Sequence, residues 1–103
     1  MARVVRREAA KRDLVRHFVY LAENATLKIA RSFKDAAHDT FVALSEAPEM
    51  GAPHKIRQGK FAGIRLWRVN GFERYLIAYR PIKEGVAIER VFHAAQDYRR
   101  ILR

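Results

Sequence analysis

The sequence predicts an α+β fold in the order β-α-α-β-β-β-α, with an antiparallel sheet packed on an N-terminal helical hairpin. Three observations predict it. Two consecutive stretches carry apolar residues at helical spacing, an Asn-Gly pair sits between two apolar runs in the second half, and a last apolar run leads into a helix-compatible ending.

The order begins with Arg3 to Arg7, whose Val4-Val5 core fits a short strand before helix-forming Glu8-Ala9-Ala10-Lys11. Ala10, Leu14, Phe18, Leu21 and Ala25 then recur as one face of a first helix. Ala30, Phe33, Ala37, Phe41 and Leu44 do the same for a second, with Asn24 or Thr26 available as its cap and Pro48 closing it. The connection between them is very short, so they form a hairpin. Charged pairs at helical spacing, such as Glu8 and Arg12, belong to the solvent faces. Ala47 to Lys60 contains Pro48, Gly51, Pro53 and Gly59 with His54, Lys55, Arg57 and Lys60, and reads as a long basic loop.

Phe61 to Leu102 is the most informative stretch, a three-strand meander followed by a short helix. Asn70-Gly71 is the strongest short hairpin signal, because both residues tolerate the positive φ of a type I′ turn. A two-residue loop sets Val69 opposite Phe72, Arg68 opposite Glu73, Trp67 opposite Arg74, Leu66 opposite Tyr75, Arg65 opposite Leu76 and Ile64 opposite Ile77. One face then carries Ile64, Leu66, Tyr75, Ile77 and Tyr79, and the other Arg65, Trp67, Arg74, Leu76 and Arg80. The apolar face is expected under the helical hairpin. The arginine and tryptophan face is expected to stay open for a partner. The last strand runs from about Val86 to His93, and Ala94 to Leu102 closes the domain as a helix.

A chain of 103 residues, half of them apolar, is enough for one core, so a single domain over residues 1–103 is expected, with no room for a cofactor domain. No apolar run reaches the length of a membrane span, and the opening MARVVRREAAKRDL lacks the apolar segment of a secretory signal, so a cytoplasmic protein without a membrane partner is expected. Cysteine is absent and His17, His38, His54 and His93 are scattered, so no metal and no cofactor are expected. The formal charge of +10 divides evenly, +5 in residues 1–60 and +5 in residues 61–103, so the basicity is not a detachable tail. It points to an acidic partner, either nucleic acid or an acidic protein segment.

The element order together with G-I-R-L-W at Gly63 to Trp67, Y-L-I-A-Y-R at Tyr75 to Arg80 and R-V-F-H-A-A-Q-D-Y at Arg90 to Tyr98 resembles the toxins of the RelE/ParE superfamily over essentially the whole chain. The terminal block is the most telling, being similar to the H-G-A-R-D pattern of ParE-like toxins. The resemblance implies the toxin of a type II toxin–antitoxin pair, neutralised by a cognate antitoxin with an acidic, amphipathic C-terminal segment. Two chemistries divide the superfamily. RelE-like members resemble ribosome-dependent ribonucleases, in which a ribose 2′-hydroxyl attacks the adjacent phosphate. That reaction needs a proton acceptor, cations for the phosphorane and a proton for the leaving oxygen. In that reading Lys55, Arg57 and Lys60 supply a basic loop, Arg65 a strand arginine, His93 an imidazole and Tyr98 the terminal tyrosine. ParE-like members are similar in role to inhibitors of DNA gyrase and act by protein contact. The ribonuclease pattern H-R-R-E-V-Y has arginine after its histidine, where this chain has Ala94 and then Ala95, so the ParE-like reading is favoured. The ribosome and its message are the alternative target.

For target or antitoxin binding the candidates are Arg65, Trp67, Arg74, Arg80 and Arg90, with Trp67 as anchor because Trp and Arg dominate interface energetics. Each has a structural alternative. An arginine in a strand paired with Glu89 or Asp97 is a fold element, and Trp67 can be covered by the C-terminal helix or a second copy. His93 can simply cap the strand end, Asp97 can favour the dipole of the last helix, and Tyr98 can pack that helix. A third reading is a nucleic-acid-binding module without toxin activity, using the same arginines with Trp67 and Phe72 for phosphate contact and stacking.

Overall fold

The computed structural model describes residues 2–56 and 58–103. Its elements are strand β1 (Arg3–Arg6), helices α1 (Glu8–Asn24) and α2 (Leu27–Glu46), strands β2 (Ala52–Pro53), β3 (Arg65–Val69), β4 (Phe72–Ile82) and β5 (Gly85–His93), and a final turn of helix α3 (Tyr98–Ile101). The α+β class and the expected order hold, with one addition: two residues of the expected loop, Ala52 and Pro53, pair with Leu66 and Arg65 as β2. The last helix is shorter than expected, because Ala94 to Gln96 form a turn and Asp97 then caps α3 by accepting from the Arg99 N–H at 3.1 Å.

The helical hairpin follows from local chemistry. Thr26 caps α2 by accepting from the Ile29 N–H at 3.0 Å, which leaves only Ala25 and Thr26 between the helices. Ala30, Phe33, Ala37, Phe41 and Leu44 are buried, as their spacing demands. Ala25 lies just past the end of α1, and the buried positions of α1 include two polar residues, Asp13 and His17.

The sheet order is β1-β5-β4-β3-β2. Its pairs are antiparallel except the first, in which β1 runs parallel to β5. At that junction the backbones are so close that a Cβ on Gly85 would lie 1.9 Å from the Arg3 carbonyl oxygen. The helices pack on one face over Tyr75, Ile77, Tyr79, Val86, Ile88 and Val91. Phe61, Ile64, Ala78, Phe92 and Leu102 form a second cluster, with Ile56, Leu66, Leu76 and Ile101 packed against it. The loop before β3 and the C-terminal turn therefore cover the face that the sequence reading left open.

The register of β3 on β4 corrects the expected faces. Val69 pairs with Phe72 as expected, but Arg68 pairs with Leu76, Trp67 with Ile77, Leu66 with Ala78 and Arg65 with Tyr79. Three residues, Glu73 to Tyr75, are thus inserted on β4 next to the turn. Only Gly71 of the pair takes a positive φ, 84°, so the turn is not of type I′ and does not impose continuous two-residue hairpin pairing. A shift by an odd number of residues exchanges faces. Arg65 and Trp67 therefore share the helix-side face with Ile77 and Tyr79, whereas Leu76 and Arg80 stand on the opposite side; Ile64 and Leu66 leave the face that holds Tyr75 and Ile77.

Candidate functional site

The five residues expected to bind a partner do not form one surface, and three of them hold the fold. Arg65 donates from Nη1 to the Gly51 carbonyl at 2.7 Å and the Glu49 carbonyl at 3.2 Å. The Tyr79 hydroxyl accepts from the Gly51 N–H at 2.8 Å and donates to the Pro48 carbonyl at 2.7 Å. Together these two side chains staple the segment after α2 to the sheet, and burial pushes the Tyr79 phenol above its ordinary pKa. Arg80 pairs with Glu89 at 3.1 Å and donates to the Ala62 and Lys60 carbonyls, so it fastens the loop before β3. Arg90 forms a two-point bond to Asp13, Nε to Oδ2 at 2.8 Å and Nη2 to Oδ1 at 3.0 Å. Those bonds raise the Arg90 pKa against the opposing effect of burial. Of the anticipated partners, Glu89 takes Arg80 and Arg7, while Asp97 is occupied by the cap of α3.

Trp67 and Arg74 remain outward. Trp67 is 37% exposed and stands in a depression of about 530 Å³ at the β3 edge, shared with Met50, Ala52, Leu66 and Leu76 and with Arg68, Asn70 and Glu73. The walls are pre-set: Met50 and Ala52 flank Gly51, which Tyr79 and Arg65 fix, and Arg68 Nη1 donates to the Glu73 carbonyl at 2.6 Å. A Cβ on Gly51 would meet the Tyr79 hydroxyl at 2.5 Å, so this approach requires glycine. The depression is mainly apolar, with the Trp67 indole on its wall and Arg68, Asn70 and Glu73 as its polar residues. Arg74 is an exposed residue of the inserted segment, and its carbonyl accepts from the Ala94 N–H at 2.7 Å.

The residues expected for phosphodiester cleavage are not joined. Among the described residues no hydrogen bond or ring contact links any two of Lys60, Arg65, His93 and Tyr98. Lys60 lies over the Phe61 ring at 5.2 Å. His93 Nδ1 accepts from the Ala95 N–H at 3.0 Å, its own N–H donates to Gln96 Oε1 at 2.7 Å, and its ring meets Tyr75 edge-on at 4.9 Å. That is the strand-end cap. Tyr98 meets the His54 ring at 5.9 Å. Arg57 of the expected basic loop lies outside the described residues.

Two residues organise the centre of the molecule: Asp13, which the sequence reading did not single out, and His17, which it named only among the scattered histidines. Asp13 is only 4% exposed, and besides Arg90 it accepts from the Val91 N–H at 2.9 Å. One turn on, His17 Nε2 donates to the Val91 carbonyl at 2.9 Å, which sets its tautomer, and its ring meets Tyr75 and Phe33 edge-on. Burial lowers the His17 pKa below 6.5, partly offset by that hydrogen bond and by Asp13. The available signal was positional: Asp13 and His17 share a helix face with Ala10, Leu14 and Leu21, and a carboxylate on such a face needs a cation from elsewhere. A second missed feature is a groove of about 680 Å³ along the helical hairpin, lined by Leu14, Val15 and Phe18 of α1 and by Phe33, Ala37 and Phe41 of α2, with Arg6 and Lys11 beside them.

Comparisons with known proteins bear on the whole arrangement. Curated protein sequences give no match. Among solved structures, the chain is similar to a protein of the "Chromosomal ParDE TA system from P. aeruginosa", with a TM-score of 0.71 over 90% of this chain and 96% of that one at 14% identity, a likeness of fold. Residues 4–98 match the family model described as "ParE toxin of type II toxin-antitoxin system, parDE". That match runs from β1 into the start of α3 and takes in the helical hairpin, the Asp13–Arg90 tie and the Trp67 depression, so the chain belongs to the ParE toxin family of type II toxin–antitoxin systems.

Proposed function

We propose that this protein is a toxin that inhibits DNA gyrase by protein–protein contact in the cytoplasm and is neutralised by a cognate antitoxin with an acidic, amphipathic segment. Family membership supports the toxin–antitoxin setting, and the charge of +10 supports an acidic partner. The observation that carries contact over RNA cleavage is the commitment of Arg65 and His93 to backbone partners. Arg65 Nη1 donates to the Gly51 and Glu49 carbonyls and His93 Nδ1 accepts from the Ala95 N–H, so both side chains are anchored in the fold, and among the described residues neither is joined to Lys60 or Tyr98 in the cluster that a phosphorane and a 2′-hydroxyl would need. Trp67 in its pre-set depression is the anchor for the target, with Arg74 on the same exposed end of the β3–β4 hairpin.

The test pairs two assays on the purified chain. One is gyrase supercoiling; the other is ribosome-dependent cleavage of a message, mapped by primer extension. Loss of supercoiling with an intact message supports the proposal. Codon-positioned cuts in ribosome-bound message with unaffected supercoiling overturn it in favour of a ribonuclease.

A further inference from the structure

Two segments, residues 54–62 and 94–103, cover the sheet face opposite the helical hairpin. Their apolar side chains turn inward: Ile56 and Phe61 of the first and Ile101 and Leu102 of the second pack in one cluster with Ala78 and Phe92 of the sheet. The segments also meet at the surface, where the Tyr98 ring stands edge-on to His54 at 5.9 Å. What they leave outward is cationic. Lys55, Lys60, Arg99, Arg100 and Arg103 are exposed, and among the described residues none of them has an ion-pair partner. The acidic residue of the two segments is Asp97, whose carboxylate caps α3 by accepting from the Arg99 N–H. The layer is also fastened to the sheet, since Arg80 donates to the Lys60 and Ala62 carbonyls and Arg90 Nη1 reaches the Ile101 carbonyl at 3.4 Å.

That chemistry selects the partner. The centre of a protein–protein contact is apolar and depleted of charge, whereas a surface that holds nucleic acid is polar and strongly positive. Tyr98, 43% exposed, is the large apolar side chain that these segments leave outward, and the Arg99 guanidinium stands over its ring at 6.0 Å. The layer therefore offers no row of free rings on which single-stranded bases stack. The phosphates of a duplex need only the cations.

We propose that this basic layer contacts the phosphate backbone of duplex DNA through Lys55, Lys60, Arg99, Arg100 and Arg103, without reading sequence. The choice of DNA over RNA rests on the gyrase reading above, because gyrase acts on duplex DNA; the cationic layer does not depend on it. Trp67 stands in a separate depression at the β3 edge, so the DNA contact and the target contact are lost independently.

Fluorescence anisotropy on the purified full chain tests it, with a labelled DNA duplex of about 20 base pairs and random sequence, between about 50 and 200 mM salt. Affinity should fall steeply with salt. Each phosphate contact adds about 0.9 to the slope of log affinity against log salt, which is roughly eightfold in affinity at about 0.1 M. The triple variant Arg99→Gln, Arg100→Gln, Arg103→Gln should therefore lower the slope by about 2.7 and the affinity by roughly a hundredfold or more. The same loss of charge at exposed positions of α2, Lys28→Gln, Arg31→Gln, Lys34→Gln, should change affinity by less than about tenfold. Lys55→Gln, on the other segment, should lower the slope by about 0.9 and serves if the triple variant does not fold. Absence of duplex binding at about 50 mM salt, or equal losses from the two triple variants, overturns the proposal, while supercoiling inhibited by the same chain leaves the gyrase reading standing. DNA binding as expected without any effect on supercoiling overturns the gyrase reading and keeps the DNA surface. Binding of an RNA duplex, a single strand or polyglutamate about tenfold tighter than the DNA duplex assigns the layer to that partner and overturns the proposal.

Discussion

Replacing Asp13 with alanine should remove the tie between α1 and β5 and lower the stability of the fold without touching the Trp67 surface. The substitution deletes three acceptor contacts at once, two to Arg90 and one to the Val91 N–H. It leaves Arg90 with a 3.4 Å contact to the Ile101 carbonyl. Breaking a buried ion pair by removing one partner costs about 3–5 kcal/mol. The Arg90 side chain keeps 23% exposure, so water recovers part of its solvation and the low end, about 3 kcal/mol, applies. With an unfolding entropy of about 2.1 cal/mol/K per residue over 103 residues, that lowers Tm by about 14 °C. Arg90→Ala should cost a similar amount, because it leaves the Asp13 carboxylate buried. The double variant Asp13→Leu, Arg90→Met should be less destabilised than the sum, retaining about 1–3 kcal/mol for the stranded Val91 N–H. Urea and thermal unfolding followed by circular dichroism measure all three. A loss below about 1 kcal/mol for Asp13→Ala, or single costs that add within about 0.5 kcal/mol in the double variant, would refute the reasoning. Arg90 would then return to the list of contact residues.

Trp67→Ala should raise the concentration needed to inhibit gyrase supercoiling by about thirtyfold, the effect of an anchor worth about 2 kcal/mol, while changing urea stability little; equal potency would remove Trp67 from the contact. Tyr79→Phe should cost about 1–3 kcal/mol in urea unfolding, because the Gly51 N–H loses its acceptor, and proteolysis near Met50 should accelerate as the staple loosens. His17 has its folded pKa lowered below 6.5, so the unfolded chain binds more protons as pH falls and stability contributed at neutral pH declines below about pH 6.5. His17→Gln should flatten the part of the stability profile between about pH 6.5 and the lower folded pKa; an unchanged slope there would show that His17 does not titrate on unfolding.

The sequence reading placed both helices, β3 to β5 and the turn positions because their signals are local. Phe33, Ala37 and Phe41 repeat at the helical period, Thr26 caps its own helix, and Asn70-Gly71 marks a reversal between adjacent runs. Those signals are satisfied within a few residues, so chain order alone reveals them, as it does the family resemblance and the absence of an arginine after His93. Sidedness was a different matter. It depended on continuous pairing beyond Val69 and Phe72, and three residues of β4 inserted next to the turn exchanged the faces of everything that followed. What each arginine does was likewise beyond a local reading. Arg90 meets a carboxylate 77 positions away, Arg65 meets carbonyls across the sheet edge, and Arg80 closes a loop. Periodicity and composition determine which residues are apolar or charged, but a charge becomes a staple or a surface according to what the folded chain brings within about 3 Å of it. That proximity is set by strand register and by the parallel return of β1 beside β5, and both are properties of the tertiary structure alone.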